Sequence, residues 1–268
     1  MADPFRDHCS DEGGASLEWE APALVLSARL WGEADAIVHV LTEQRGLVHG
    51  LVYGGAGRRQ AATWQVGNLV AARWRTRSEG QLGTLSGETV RMLSAPLLSS
   101  AVGLAMMTSV CAVADEAVPE HEPHPGLFAD TLALLMRLSS DPAEAAKSGM
   151  AWLLRWEVVL LADLGFGLDF SCCAVTGETD DLKYVSPRTG RAVSESGAGV
   201  WRSRLLPLPR LFSDETDDGT PEDWAAGLRL TGHFMLRETF GQRHRPLPAA
   251  RQRLEALVGA MCGSGEGG

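Results

Sequence analysis

Arginines recur at alternate positions in the segment Arg73-Trp74-Arg75-Thr76-Arg77. Because a β-strand projects alternate side chains on one face, this spacing predicts three guanidinium groups along one side of a strand. Guanidinium groups on an open surface bind backbone phosphates. With three arginines earlier in the chain they form a candidate polyanion-binding set: Arg29, Arg58, Arg59, Arg73, Arg75 and Arg77. The alternative interpretation is an ordinary solvated strand face.

Three aromatic residues lie among these arginines. Trp74 alternates with Arg73 and Arg75, so we expect it on the opposite face of the strand, in a core. Trp31 and Tyr53 are candidates for stacking on bases, although a packed place in the sheet is the commoner role for such residues. Arg58 and Arg59 follow a glycine-rich stretch, which predicts a flexible loop that carries positive charge.

The sequence lacks the motifs of the common catalytic sites. No Gly-x-x-x-x-Gly-Lys-Ser/Thr loop occurs, and Lys147 and Lys183 are the only lysines, so ATP hydrolysis is not indicated. Neither a Gly-x-Ser-x-Gly elbow nor a His-Glu-x-x-His helix is present. The seven histidines have no metal-ligand spacing. We therefore expect a protein that is not an enzyme and needs no cofactor.

Net charge is -10, which at first argues against a nucleic-acid binder. The acidic residues, however, are concentrated in the middle of the chain, between residues 111 and 182. Residues 23–80 carry seven arginines against four carboxylates, and residues 228–258 carry six arginines against two. Because charge is screened over roughly 8 to 10 Å, a locally basic surface can still bind a polyanion.

Short apolar runs separated by glycine-rich turns predict five strands near the start of the chain, at 22–30, 36–43, 47–53, 66–76 and 82–91. Five short strands in this space favour a small barrel, most simply an OB-fold, over residues 18–92. Residues 1–17 are polar, acidic and glycine-containing, and we expect a disordered extension there.

From about residue 93 the apolar pattern becomes helical. Residues 95–114 fit a packed helix better than a membrane span, because Asp115 and Glu116 follow at once. Asp141-Pro142-Ala143-Glu144 predicts the start of a helix that ends near Gly165. Thr220-Pro221-Glu222-Asp223 predicts a second start, and a last helix begins at about Pro248. The helical domain therefore covers 93–169 and 219–262, interrupted by a loop-rich small β subdomain at 170–218.

No secretory signal is visible at the start of the chain, and the five cysteines form no disulfide framework. Both observations favour reduced thiols and a cytoplasmic protein without a membrane association.

Several motifs, in a fixed order, carry a family resemblance. The order is Arg29-x-x-Gly-Glu-x-Asp35, Thr42-Glu-x-x-Gly-Leu-Val48 and Gly55-x-Gly-Arg-Arg59, followed by Leu164-Gly-Phe-Gly-Leu-Asp169, Tyr184-Val-Ser-Pro-Arg-Thr-Gly190 and Pro246-Leu-Pro-Ala-Ala-Arg251. Taken together, their order and spacing resemble those of the RecO recombination mediators, from about Glu18 to Val258. The expected fold is accordingly α+β, with an N-terminal five-stranded OB-fold barrel followed by an α-helical domain that contains the inserted small subdomain.

The resemblance also implies a function and partners. Proteins of this family bind single- and double-stranded DNA, anneal complementary strands, and act with RecR to load RecA onto DNA coated with single-strand-binding protein. Such a protein would be cytoplasmic and associated with the nucleoid. The acidic C-terminal tail of single-strand-binding protein engages the helical domain in this family, and the candidate contacts here are Arg229, Arg237, Arg243 and Arg245.

One segment departs from the family pattern. Cys172-Cys173-Ala174-Val175-Thr176 lies where many members carry the first half of a four-cysteine zinc site, but only Cys173-x-x-Thr176 remains. The region expected to carry the second pair, residues 186–194, has no cysteine. Because tetrahedral zinc needs four Cys or His ligands, we expect a small subdomain without metal.

Two other functions stay open at this point. An RNA-binding OB-fold protein of translation would share the arginine pattern. A metal-dependent nuclease would need acidic ligands such as Asp180 and Asp181, although this pair adjoins turn residues and fits solvated charge equally.

Overall fold

The computed structural model describes residues 17–78 and 80–264, apart from the side chains of Arg243 and Ser264. The predicted disordered extension therefore lies outside the described residues, except for Leu17. Five strands open the chain: β1 (Leu17–Trp31), β2 (Asp35–Thr42), β3 (Gly46–Val52), β4 (Leu69–Thr76) and β5 (Gly83–Arg91). All five were predicted. β1 begins five residues earlier than expected, because Leu17–Leu24 pair with β4.

The five strands close into a barrel in the order β1-β2-β3-β5-β4. All neighbouring strands are antiparallel except β3 and β5, which pair in parallel at Gly50↔Gly83. A bulge between Val25 and Ser27 divides β1, so that its first part pairs mainly with β4 and its second part with β2. This is the five-stranded arrangement of the OB-fold, and the predicted α+β fold class is confirmed.

Between β3 and β4 lies a short helix, α1 (Arg58–Thr63), where a flexible loop was expected. The buried Trp64 follows the helix, and its Nε1 donates a hydrogen bond to Gln60 Oε1 at 3.1 Å. Because Trp64 belongs to the barrel core, it fixes the helix against the barrel. Arg58 and Arg59 are therefore the first residues of a helix, and the loop prediction for them was wrong.

Three long helices follow the barrel: α2 (Ala101–Ala117), α3 (Pro125–Ser140) and α4 (Pro142–Asp163). The start of α4 is the predicted one, since Asp141 Oδ1 accepts hydrogen bonds from the N–H groups of Ala143 and Glu144. Leu24, Leu26, Leu41 and Leu47, on the outer side of the barrel, belong to the same apolar core as these helices. The barrel and the helices therefore pack against each other through a shared core.

The small subdomain contains β6 (Leu182–Val185), β7 (Ala192–Ser194), the single-turn helix α5 (Glu195–Ala198) and β8 (Leu206–Pro207). Its three strands form a sheet in the order β7-β6-β8. The chain then returns to the helices with α6 (Pro221–Phe234), which continues as a π-helical segment over Met235–Phe240, and α7 (Ala249–Ser264). Thr220 and Asp223 form the capping box at the start of α6. Among the described residues, no helix has the length and apolar character needed to cross a membrane.

Candidate nucleic-acid interface

One side of the barrel presents arginine and aromatic side chains together. In the register of β1, β2 and β3, Arg29 lies opposite Ile37, and Ile37 lies opposite Leu51. Trp31 and Tyr53 follow two residues further along, so alternation places them on the same outer face. Trp31 is 56% exposed and Tyr53 is 69% exposed. Neither residue is packed in the barrel, which leaves both rings accessible for stacking.

Two hydrogen bonds attach the β3–α1 loop to the β1–β2 hairpin. The N–H of Gly54 donates to Asp35 Oδ1 at 2.8 Å, and the N–H of Ala56 donates to the carbonyl of Ala34 at 2.9 Å. The loop thereby carries Tyr53 and the start of α1 to the end of the barrel where Trp31 lies. We call this the tip surface, and it consists of Arg29, Trp31, Tyr53, Arg58 and Arg59.

Within the described residues, the arginines of the tip surface have no carboxylate partner. Arg29, Arg58 and Arg59 are exposed, and none forms an ion pair within the part of the chain that the structure describes. An unpaired, solvated guanidinium can bind a phosphate without first losing a protein partner. The tip surface therefore combines the two features that single-strand binding uses, positive charge and exposed rings.

The arginines of β4 contact carboxylates of β1. Arg75 lies opposite Glu18 in the β1–β4 register, and Arg73 lies opposite Glu20. Arg75 Nη2 is 3.0 Å from Glu18 Oε2, and Arg73 forms a close ion pair with Glu20. Arg73 and Arg75 lie on one face of β4, as predicted, but both already contact carboxylates, and Arg77 follows the end of the strand. Arg77 is exposed and has no ion pair among the described residues.

The order of strands separates the two groups of arginines. β4 neighbours β5 and the first part of β1, whereas Arg29 lies in the second part of β1, which pairs with β2. The six predicted contacts therefore do not form one continuous surface. They divide into the tip surface and the β4 stripe of Arg73, Arg75 and Arg77.

Acidic residues of the helical domain border the outer face of β2 and β3. His39 Nδ1 is 2.6 Å from Asp115 Oδ1, and His49 Nδ1 is 3.2 Å from Glu120 Oε2. Arg245 Nη2 donates to Glu116 Oε2 at 2.6 Å. Carboxylates from the acidic middle of the chain thus contact His39 and His49 of the barrel and Arg245, which precedes α7. Part of the negative charge counted in the sequence is used in these contacts.

The basic residues near the end of the chain have different surroundings. Arg229 is exposed, without an ion pair in the described residues. Arg237 pairs with Glu238 and donates to the carbonyls of Pro187 and Arg188. Arg245 is bound to Glu116 as described, and the side chain of Arg243 lies outside the described part.

Arg251, counted in the sequence among the surface charges of this region, is 0% exposed. Its guanidinium donates to Glu157 Oε1 at 2.5 Å, to Glu255 Oε1 at 2.8 Å and to the carbonyl of Leu228 at 3.0 Å. These contacts connect α7 to α4 and α6, so Arg251 is a structural residue. Its burial lowers the exposed positive charge of the region.

The segment that matches the family's zinc site holds a buried thiol instead. Cys173 Sγ accepts hydrogen bonds from the N–H groups of Val175, Thr176 and Ser194, and from the Ser194 hydroxyl at 3.3 Å. Burial of the thiol opposes ionisation, but hydrogen bonds from Ser194 and then Thr176 outweigh it and lower the pKa of Cys173 to about 6. The thiolate is thus the favoured form at neutral pH.

Ser194 and Gly197 lie beside this thiol, and the Ser194 hydroxyl is 3.3 Å from Cys173 Sγ. A Cβ at Gly197 would lie 2.9 Å from Cys173 Sγ, so Ser194-x-x-Gly197, rather than residues 186–194 alone, faces Cys173-x-x-Thr176. One thiol, two hydroxyls and a glycine do not fit tetrahedral zinc. No group of three or more His, Cys, Asp or Glu residues in the described chain is arranged to hold a metal ion, and Asp181 is paired with Lys183 at 3.0 Å.

Comparison with known proteins gives a consistent result over nearly the whole chain. The family model described as recombination protein O N terminal matches residues 16–93, and the one described as recombination protein O C terminal matches residues 98–246. The chain is 59% identical over 245 residues to DNA repair protein RecO of Gluconacetobacter diazotrophicus, covering 91% of this chain and 96% of that protein. It is 46% identical over 246 residues to the protein of the same name from Granulibacter bethesdensis, covering 91% and 97%. It is 47% identical over 242 residues to that of Rhodospirillum centenum, covering 88% and 93%.

Proposed function

The chain belongs to the RecO family of DNA repair proteins, which have a role in recombination, and from this premise we propose that it binds single- and double-stranded DNA and anneals complementary strands. We expect it to act by binding alone, without a catalytic step and without a cofactor. In this role it works in the cytoplasm, at the nucleoid.

The observation that carries the proposal is the tip surface. Arg58 and Arg59 are unpaired among the described residues, and Trp31 and Tyr53 expose their rings beside them. Single strands are bound by proteins that combine a positive surface with aromatic rings, because every base has a face that can stack. A sequence-independent surface of this kind suits a protein that must act on any damaged locus.

The mechanism of annealing follows from the same residues. Two complementary strands repel each other through their phosphates, and bound arginines neutralise part of that charge. Base pairing then supplies the specificity, so the protein needs no groups that read the sequence. The β4 stripe extends the positive surface when a phosphate replaces Glu18 or Glu20 as the partner of Arg75 or Arg73.

We also propose the protein partners that the family resemblance implies. With RecR, the protein helps to load RecA onto DNA coated with single-strand-binding protein. The acidic tail of single-strand-binding protein contacts the helical domain near Arg229 and Arg237, with Arg243 and Arg245 as further candidates. Arg229 is the best placed of the four, since it is exposed and has no carboxylate partner in the described residues.

A binding and annealing experiment tests the proposal. Fluorescence anisotropy of a labelled single-stranded oligonucleotide is measured across a salt series, with structured RNA as a competitor, and annealing of two complementary oligonucleotides is followed in parallel. We expect affinity for DNA that falls steeply with salt, weak competition by RNA, and faster annealing than without protein. Preferential binding of structured RNA would instead assign the protein to translation, and absence of DNA binding would refute the proposal.

A further inference from the structure

At the other end of β1 from Trp31, the mouth of the barrel opens into a cavity of about 680 Å³. The β2–β3 loop, residues 80–82 before β5 and the segment between α2 and α3 surround it. Its lining includes Trp19, Gln44, Arg45, Trp74 and Leu82, and we call it the mouth pocket. Ligand sites are common both at barrel mouths and at contacts between domains, and the mouth pocket is at both.

Two tryptophans of the lining stack on each other. Trp19 and Trp74 are directly opposed in the β1–β4 register, with ring centroids 6.0 Å apart and planes 14° from parallel. Trp74 Nε1 donates to the carbonyl of His49 at 3.1 Å. A Cβ at Gly83 would lie 2.2 Å from the Trp74 ring, so the ring rests directly on glycine backbone. These contacts hold Trp74 in place before any ligand arrives, which lowers the entropic cost of binding.

The mouth pocket offers one permanent cation to an anionic ligand. Of its two carboxylates, Glu18 contacts Arg75, and Glu120 Oε2 is 3.2 Å from His49 Nδ1. Arg45 is exposed and forms no ion pair with any residue that the structure describes. Beside it, the side-chain amide of Gln44 offers both a donor and an acceptor of hydrogen bonds.

We propose that the mouth pocket holds one unpaired nucleotide of a DNA single strand. The base packs on the stacked indole pair of Trp19 and Trp74, the Gln44 amide contacts the edge of the base, and Arg45 contacts its phosphate. A paired base cannot enter, because both of its faces are already stacked within a duplex. This inference rests on the proposed DNA binding, and it adds a site that selects single strands, separate from the tip surface.

The test distinguishes contacts to bases from contacts to phosphates. Two labelled 12-nucleotide strands are compared, oligo(dT) and the same backbone with abasic sites, so that both carry equal charge. The variants are Trp19→Leu, which removes an indole, and Gln44→Ala, which changes only an exposed loop; Arg91→Ala is a control at the opposite end of β5. Circular dichroism confirms that each variant is folded.

For oligo(dT), we expect Trp19→Leu to weaken binding by about tenfold and Gln44→Ala by about threefold, within the range for loss of one stacked base or one edge contact. Binding of the abasic strand is expected to stay unchanged in both variants, and Arg91→Ala is expected to affect the two strands equally. Equal effects of Trp19→Leu and Gln44→Ala on both strands, or no effect on either, would overturn the mouth pocket while leaving the proposed DNA binding intact.

Two further outcomes are informative. If the unaltered protein binds neither strand, the proposed function fails and the inference falls with it. If thymidine monophosphate alone binds as tightly as oligo(dT), the pocket takes a free nucleotide, and its assignment to a DNA strand is refuted.

Discussion

Arg75 and Glu18 form a bidentate ion pair across the β1–β4 ladder, with Arg75 Nη2 3.2 Å from Glu18 Oε1 and Arg75 Nε 3.3 Å from Oε2. One step along the same two strands, Arg73 forms an ion pair with Glu20 Oε1. The carboxylates occupy the positions that phosphate oxygens would take on these guanidinium groups. A phosphate that contacts Arg73 or Arg75 must therefore displace a carboxylate of the protein's own β1.

The double substitution Glu18→Gln/Glu20→Gln is expected to strengthen binding of single-stranded DNA by about five- to tenfold at low salt. Two released guanidinium groups would each neutralise one phosphate, which makes the salt slope steeper by about 1.4. Anisotropy titrations across a salt series measure both quantities. Asp130→Asn/Glu215→Gln changes the net charge equally, away from the barrel, and should have little effect. An unchanged slope in the first variant would show that the β4 stripe does not contact DNA.

Arg58→Ala/Arg59→Ala is expected to weaken binding of single-stranded DNA more than Arg73→Ala/Arg75→Ala does, because Arg73 and Arg75 contact Glu18 and Glu20, whereas Arg58 and Arg59 form no ion pair among the residues that the structure describes. Loss of two phosphate contacts lowers the salt slope by about 1.4 for a single strand. The same anisotropy series compares the two variants, which remove equal charge. A larger loss of affinity in Arg73→Ala/Arg75→Ala than in Arg58→Ala/Arg59→Ala would show that the β4 stripe contributes more to DNA binding than the tip surface does.

Trp31→Ala/Tyr53→Ala is expected to lower affinity for single-stranded DNA by about tenfold or more, since loss of each stacked base costs about 1–3 kcal/mol. Both rings are mostly exposed, so the melting temperature should hardly change. Trp201→Ala is a control at an exposed tryptophan in the small subdomain. Affinity equal to that of the unaltered protein would show that Trp31 and Tyr53 do not stack on bases.

Arg251→Ala is expected to destabilise the fold by about 3–5 kcal/mol, the usual cost of leaving a buried partner charge unpaired. Glu157, which is itself 0% exposed, would lose its ion pair inside the helical core. Urea denaturation measures the free energy of unfolding, and Arg253→Ala, at an exposed position on the same helix, provides the comparison. Similar losses in the two variants would contradict the structural role of Arg251.

The Cys173 thiol predicts a dependence of stability on pH. Its pKa is lowered from 9.0 to about 6 in the folded protein, so the unfolded state binds more protons between these values. The contribution of Cys173 to stability is absent below about pH 6, grows as pH rises, and is complete above about pH 9. Burial raises the pKa of Cys111 to about 12, so in the folded protein this thiol loses its proton only at a higher pH than Cys173 does.

Urea denaturation of the unaltered protein and of Cys173→Ala, at pH values from 6 to 9, isolates this contribution. The difference in free energy of unfolding between the two proteins should grow with pH. A difference that is constant over this range would show that Cys173 remains a thiol.

Local patterns in the sequence predicted the barrel strands and the starts of two helices. Alternation of apolar residues predicted all five barrel strands, and the Asp141 and Thr220 caps predicted the starts of α4 and α6, because these signals depend on neighbouring residues only. The same locality explains the errors at β1 and α1. Leu17 joins β1 because of its partner on β4, and α1 is held by Trp64 in the barrel core.

The sequence by itself determined the barrel strands, the starts of α4 and α6, the family, and the arginines proposed to contact DNA. Only the tertiary structure decided which of those arginines are free. Glu18-Trp19-Glu20 mirrors Arg73-Trp74-Arg75 in pattern, but more than fifty residues separate them, and only the strand register brings the charges together. Arg251 likewise looks like surface charge until α4, α6 and α7 pack around it. The charge available to a ligand depends on contacts between distant segments, and packing alone specifies those contacts.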